Sequence, residues 1–242
     1  MGNGEGYGDY MQASYMALLP EYTHKTKVVN LARMDFEMKN GSQFCISSLA
    51  AMPVMRKYMH LSKSIYVLPR PKIFMKHETY LKMGSPESLS IKKLAANSEY
   101  RLALIGGVNH LPIRAEDYVE NQHVSVISNT AAIVSIMKMI DLGRIDWSAE
   151  FPHILQWGTR SGNVQIAEKF KMVDIEEYHD EDILRAGIAC TKNVWGKAII
   201  DQLNALVGKD VILTNREITS KWMPPGDVKN EFFRLNKAEI GY

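Results

Sequence analysis

The sequence predicts an α/β fold in two lobes, each a mixed sheet flanked by helices, with the chain crossing between the lobes twice. Three observations predict it. Short apolar runs alternate with segments of helical period, the rhythm of strand–helix units. That alternation fills two successive blocks and resumes near the end of the chain. A polar stretch poor in periodic residues, His77 to Pro86, lies between the blocks and is the expected crossing. The lobes are expected at residues 1–76 plus 184–242 and at residues 77–183.

The elements follow in order. A first helix is expected from Asp9, as its cap, to Leu19, stopped by Pro20. Lys27 to Asn30 reads as a short strand, and Ala32 to Lys39 as a helix ended by Asn40-Gly41. Phe44 to Ile46 reads as a buried strand, and the strand–helix–strand order points to parallel pairing. Ile65 to Leu68 and Ile73 to Met75 are strands punctuated by Pro69 and Pro71. Ser90 to Ala96 is a helix, Tyr100 to Ile105 a strand ending in Gly106-Gly107, and Ala115 to Glu120 a helix. Val124 to Ile127 is a strand. Ser128-Asn129-Thr130 then caps a helix whose apolar stripe is Ile133, Ile136, Met137 and Ile140. Gly187 to Cys190 is a strand, and Asn193 caps a helix running to Val207 with Gly208 beyond it.

The chain has 242 residues, 46% of them hydrophobic and 23% charged, enough apolar side chain for a packed core. A net charge of +2 is too small to argue for nucleic acid or an anionic membrane surface as a partner, and no nucleic acid is expected. No apolar run reaches the ~20 residues of a membrane span. Met1 to Tyr10 carries neither the basic region nor the apolar region of a signal peptide, which fits a cytoplasmic chain or a mature form. Cys45 and Cys190 both fall in predicted strands, so buried thiols are expected. A bridge needs Cα atoms within about 7 Å.

The glycine-rich start, Gly2 to Gly8, lacks the preceding strand that a phosphate-cradling loop requires, and reads as a turn into the first helix. The seven histidines show no metal-ligand spacing, and the nucleophile-elbow and paired-cysteine motifs are absent, so no metal and no cofactor is expected. His110 and His153 lie in expected loops, where an imidazole meets either a ligand or solvent. Tyr7, Trp147 and Trp157 offer stacking surfaces or ordinary packing.

Four segments carry a resemblance. Ser47 to Tyr66 resembles a strand ending in small hydroxylated residues, then Thr-x-x-Arg, then a Phe-Ser-x-x-x-Tyr segment matched by Leu61 to Tyr66. Asp141 to Asp146 resembles a Gly-Arg-Ile-Asp signature closing a helix. The strand ending in Gly106-Gly107-Val108-Asn109 and the turn Cys190-Thr191-Lys192-Asn193 complete the set, in order along the chain. The pattern is that of the type II periplasmic solute-binding proteins, the family 3-like extracellular binders that serve amino-acid transporters. Cys45 fits a branch with a cysteine just before the small-residue turn.

The resemblance implies a monomer of two lobes that close around a small molecule held at the carboxyl ends of strands, and present it to an ABC transporter permease or a sensor protein in the periplasm. It places ligand contacts at Tyr7, Ser47, Ser48, Met52, Met55, Arg56, Asn109, Glu150 and Phe151. Two positions depart from the pattern. Counting back from Ser62 puts Met55 where a carboxylate-binding Arg belongs and Met52 at the Thr, with Arg56 one residue away. Counting on from Asp146 puts Phe151 where an ammonium-binding carboxylate belongs, with Glu150 adjacent. Both departures disfavour a free α-amino acid as ligand and favour a larger or less charged molecule. The family's first strand would precede Met1, which implies a longer gene product that includes an export signal. Binding rather than catalysis is expected. The alternatives are a dehydratase-like enzyme on the same fold, with Glu150 and His110 as its titratable groups, and a regulatory domain with a degenerate cleft.

Overall fold

A computed structural model of the chain describes residues 6–50, 53–108, 110–118, 120–162, 169–179 and 183–241. In chain order the elements are α1 Tyr7–Met16, α2 Leu31–Lys39, β1 Cys45–Ala50, α3 Pro53–Tyr58, β2 Met59–Leu61, β3 Tyr66–Leu68, β4 Lys72–Lys76, α4 His77–Lys82, β5 Ser88–Leu89, α5 Ile91–Ala96 and β6 Leu102–Ile105. After a 3-10 turn at Ala115–Tyr118 come β7 Val124–Ile127, α6 Ala132–Asp141, β8 Trp147–Glu150, α7 Pro152–Gly162, β9 Phe170–Ile175, β10 Leu184–Thr191, α8 Val194–Leu206, α9 Lys209–Ser220 and α10 Asp227–Ile240. The chain divides into two compact units, one of Met1–Val29, Arg33–Pro69 and Ile183–Tyr242, the other of Asn30–Ala32 and Arg70–Asp182.

The first unit is organised on β10, which pairs antiparallel with β1, β2 and β3. Its run Ala186 to Thr191 is buried at every side-chain-bearing position, as a strand covered on both faces requires. Met38, Met55, Met59 and Ala189 form one apolar cluster, with Phe44, Ile46, Leu49 and Leu61 packed around it. Elsewhere in the unit α1 packs on β1 and α9, and α10 packs on β3. Asn236, 1% exposed on α10, fixes that last contact. Its Oδ1 accepts the Val67 N–H at 2.9 Å and its Nδ2 donates to the Val67 carbonyl at 2.8 Å, so one side chain serves as the neighbour that β3 otherwise lacks there.

Several expectations change in this unit. Lys27 to Asn30 is not a strand, and Val28 and Val29 are 55% and 45% exposed: two apolar residues between polar neighbours offer too little surface to bury. The first helix starts at Tyr7, with Asp9 accepting the Gly6 N–H at 2.9 Å from inside the first turn instead of capping it. β1 runs antiparallel to β10, not parallel to a preceding strand. That pairing sets Cys45 directly opposite Cys190 with Cα atoms 4.0 Å apart, and the two are joined in a disulfide instead of being free thiols. The expected return to a strand and a capped helix is met by β10 and α8, and two further helices, α9 and α10, follow.

In the second unit the sheet order is β5-β9-β4-β8-β6-β7. β6, β7 and β8 run parallel to one another in neighbouring pairs, while β4 is antiparallel to both β8 and β9. Alternate side chains face opposite ways. Ile73, Met75, Leu102, Leu104, Trp147 and Ala149 join Ile91 and Leu94 of α5 on one face. Phe74 and Ala103 meet Ile136, Met137 and Ile140 of α6 and Leu155 of α7 on the other. α6 and α7 approach so closely that a Cβ on Gly158 would lie 2.5 Å from the Met137 sulfur. His77 to Lys82 is the helix α4 rather than a soft crossing, and residues 70–76 go with this unit because β4 sits between β8 and β9.

Candidate functional site

In the second unit the carboxyl ends of β8, β6 and β7 lie side by side; β6 and β7 lead into loops, and β8 leads through Phe151 into α7. This is where open α/β sheets hold ligands. The loop after β6 makes a tight exit. Gly107 has φ +80°, a conformation that favours glycine, and a Cβ on Gly106 would lie 2.3 Å from the Ser128 Oγ at the end of β7.

That loop brings His110 to the end of β8. Its Nε2 lies 2.8 Å from Glu150 Oε1, off the line of a hydrogen bond. Two lone pairs at that separation repel, so the nitrogen carries a hydrogen. Tyr178 donates to the His110 carbonyl and holds the loop from the end of β9. Glu150 is 4% exposed, and its Oε1 also accepts the Phe151 N–H at 2.7 Å. The Phe151 ring stands between two imidazoles, with centroids 4.5 Å from His110 and 5.4 Å from His153. His153, in the first turn of α7, is 2% exposed. Burial pushes its pKa down to about 4, and the His110 ring adds to this, while the Glu150 charge opposes it. The result is a carboxylate and two imidazoles packed against one aromatic ring. It can exchange protons or receive a polar group, and it holds His153 neutral.

The structure brings together Glu150 and Phe151 of the expected contacts, and adds His110 and His153. Met52 and Asn109 lie outside the described residues. The others belong to the first unit. Met55 is buried in its methionine cluster. Arg56 is exposed on the helix α3, and its carbonyl accepts from Lys192 Nζ at 3.0 Å. Ser47 and Ser48 lie mid-strand, where β1 carries one extra residue against β10. Ser47 Oγ donates to the Gly8 carbonyl at 3.3 Å, and Ser48 shares a hydrogen bond with Tyr66. Tyr7 has its ring 6.3 Å from that of Trp222. Trp147 is wholly buried in the core and Trp157 packs on the α6–α7 side, so both are packing residues.

The Gly-Arg-Ile-Asp match is structural. Gly143, φ +68°, ends α6 while the Arg144 N–H returns to the Met139 carbonyl. Asp146 receives both Nε and Nη2 of Arg101 at 3.0 Å and the Arg101 N–H at 2.7 Å. Burial works against its charge, but these bonds hold its carboxyl below the ordinary carboxylate range. Among the described residues no group of three His, Cys, Asp or Glu is placed to hold a metal ion, and no helix is long and apolar enough to cross a membrane. No sequence signal pairs His110 with Glu150. The nearest hint is the Glu150-Phe151-Pro152-His153 run, which begins a helix at the end of a strand.

No protein-family model matches the chain, and no curated protein matches it. Solved structures do. The ligand-binding core of GluR0 from Nostoc punctiforme, in complex with L-glutamate, is 16% identical with a TM-score of 0.61, covering 93% of this chain and 94% of that one. A histidine kinase sensor domain with similarity to periplasmic binding proteins is 11% identical with a TM-score of 0.61, covering 91% and 88%. The amino acid ABC transporter substrate-binding protein AbpA from Streptococcus pneumoniae, bound to L-arginine, is 11% identical with a TM-score of 0.58, covering 96% and 85%. Against the B. pertussis BvgS periplasmic domain, 14% identical with a TM-score of 0.55, the chain spans 42% of the length. These likenesses are of fold. Two α/β units, each a sheet flanked by helices, give this chain the type II periplasmic-binding-protein-like fold.

Proposed function

We propose that the chain is an extracytoplasmic binding domain that closes its two units around a small polar or amphipathic solute and presents it to a transporter or a sensor. The observation that carries this reading is the fold, matched over nearly the whole chain by binding proteins and sensor domains, with polar groups set where such folds hold ligands. The Cys45–Cys190 disulfide supports an oxidising compartment. Glu150, Phe151, His110 and Asn109 supply the second unit's contacts, and Ser47, Ser48, Met52, Arg56 and Tyr7 those of the first. Arg56 sits exposed on α3 and Met55 is buried, so of the two Arg56 is the group able to reach a solute. A solute that stabilises the closed state is what a permease or a kinase partner reads.

A thermal-shift screen of amino acids, carboxylic acids, sugar acids and nucleotides tests the proposal. A true ligand at a hundredfold excess over its Kd stabilises the fold by about 2.7 kcal/mol. Absence of any stabilising solute contradicts it. A dehydratase-like enzyme is the second reading, favoured by the contact between Glu150 and His110. It requires that the bound solute be recovered chemically changed, whereas a binder returns it intact.

A further inference from the structure

We propose that His110 is a built-in partner for Glu150 and therefore a specificity residue: the solute taken at this end of the sheet carries no α-ammonium group. The inference rests on the solute-binding reading above and names the ligand class within it.

Glu150 is a buried carboxylate at the end of β8, and a buried carboxylate needs a positive or hydrogen-bearing neighbour. Three charged or titratable neighbours compete for that role. Lys72 is the register partner of Glu150 across β4 and β8, but its ammonium is paired with Asp174 at 2.5 Å. His153 is buried within the same ring cluster and stays neutral at physiological pH. His110 remains, with its Nε2 on Glu150 Oε1 at 2.8 Å and its ring against Phe151. The other half of the oxygen's capacity is used by the Phe151 N–H.

A ligand ammonium arriving at Glu150 would meet a carboxylate already compensated by an imidazole. The oxygen that faces His110 Nε2 also takes the Phe151 N–H, so an ammonium reaching it would have to displace His110 from its place against Phe151 and break the loop's packing. A solute with a carboxylate but no amine brings no such conflict. Phe151 extends the same selection: its apolar ring stands between the two imidazoles and offers surface to a carbon skeleton instead of to a charge.

The test uses pairs that differ only in the amine, L-leucine against isocaproate and L-glutamate against glutarate, titrated calorimetrically into the whole chain and into His110→Ala. The wild type is expected to bind the amine-free member about tenfold or more tightly than its amino-acid partner. His110→Ala is expected to reverse that ratio by freeing Glu150 for the ammonium. His110→Gln, which keeps a donor and fills the site, serves the same purpose if the alanine variant does not fold. A wild type that prefers the amino acids overturns the inference while leaving solute binding intact, and so does a ratio unchanged in the variants. If neither member of either pair, nor any other solute, binds any of the proteins, the solute-binding reading itself fails and the inference goes with it.

Discussion

At the scale of single residues, the buried imidazole of His153 makes stability depend on pH. In the unfolded chain it takes a proton near pH 6.5, in the folded one only near 4. Between those values the unfolded state binds more protons, so stability rises with pH. The contribution is fully present above pH 6.5 and is lost as pH falls towards 4. The shift corresponds to about 3 kcal/mol. Urea denaturation at pH 7 and pH 4.5 should show His153→Phe losing less stability than wild type over that interval. Equal losses would mean that the ring is not buried as described. A second residue-scale prediction concerns Gly196, in the first turn of α8. A Cβ there would lie 1.9 Å from the Thr191 carbonyl oxygen, a backbone atom that cannot swing aside. Gly196→Ala should lower stability by about 2 kcal/mol or more, read from the midpoint of the same denaturation curve. Neither property is visible in the sequence, because each depends on which distant backbone a residue meets.

At the scale of elements, β10 and α10 carry the first unit. Asn236 lends α10 to the buried edge of β3 that no strand among the described residues pairs at Val67. Asn236→Ala leaves the Val67 N–H and carbonyl without these bonds in a buried place, and should destabilise by about 3 kcal/mol. Hydrogen exchange at Val67 should rise in step. The sequence showed where many strands and helices begin: the helix at Ser90 to Ala96, Asn193 as the cap of α8, and the apolar stripe of α6 all stand where their local chemistry put them. It did not show pairing. Strand direction in the first unit follows from β10, which enters more than a hundred residues after β1, and the rhythm of one short segment pointed the wrong way. For the same reason the disulfide was hidden, since two cysteines in strands are thiols until their register is known. Short β2 and β5, and the amphipathic but charge-rich α9 and α10, gave too weak a periodicity to read.

At the scale of the whole molecule, the disulfide closes a loop spanning a sequence separation of 145 and containing residues 70–182 of the second unit. In the chain-entropy account it stabilises by about 5 kcal/mol. Dithiothreitol should therefore lower the melting temperature of the first unit markedly, and Cys45→Ser should reproduce the reduced state. The candidate site was legible in part. The Glu150-Phe151 position was reached by counting from a signature, although that signature proved to be a helix stop and an Arg101 clamp. His110 and His153 stood in the sequence as candidates, but their meeting with Glu150 depends on the loop after β6 returning to the end of β8, which no local pattern shows. The central claim is that this fold holds a small solute. The measurement that tests it most directly is a calorimetric titration of the purified chain with the solute that stabilises it most in the thermal screen. Saturable binding at one site per chain, weakened by Glu150→Gln, is the predicted result. A chain that binds none of the amino acids, carboxylic acids, sugar acids or nucleotides offered to it would contradict the account.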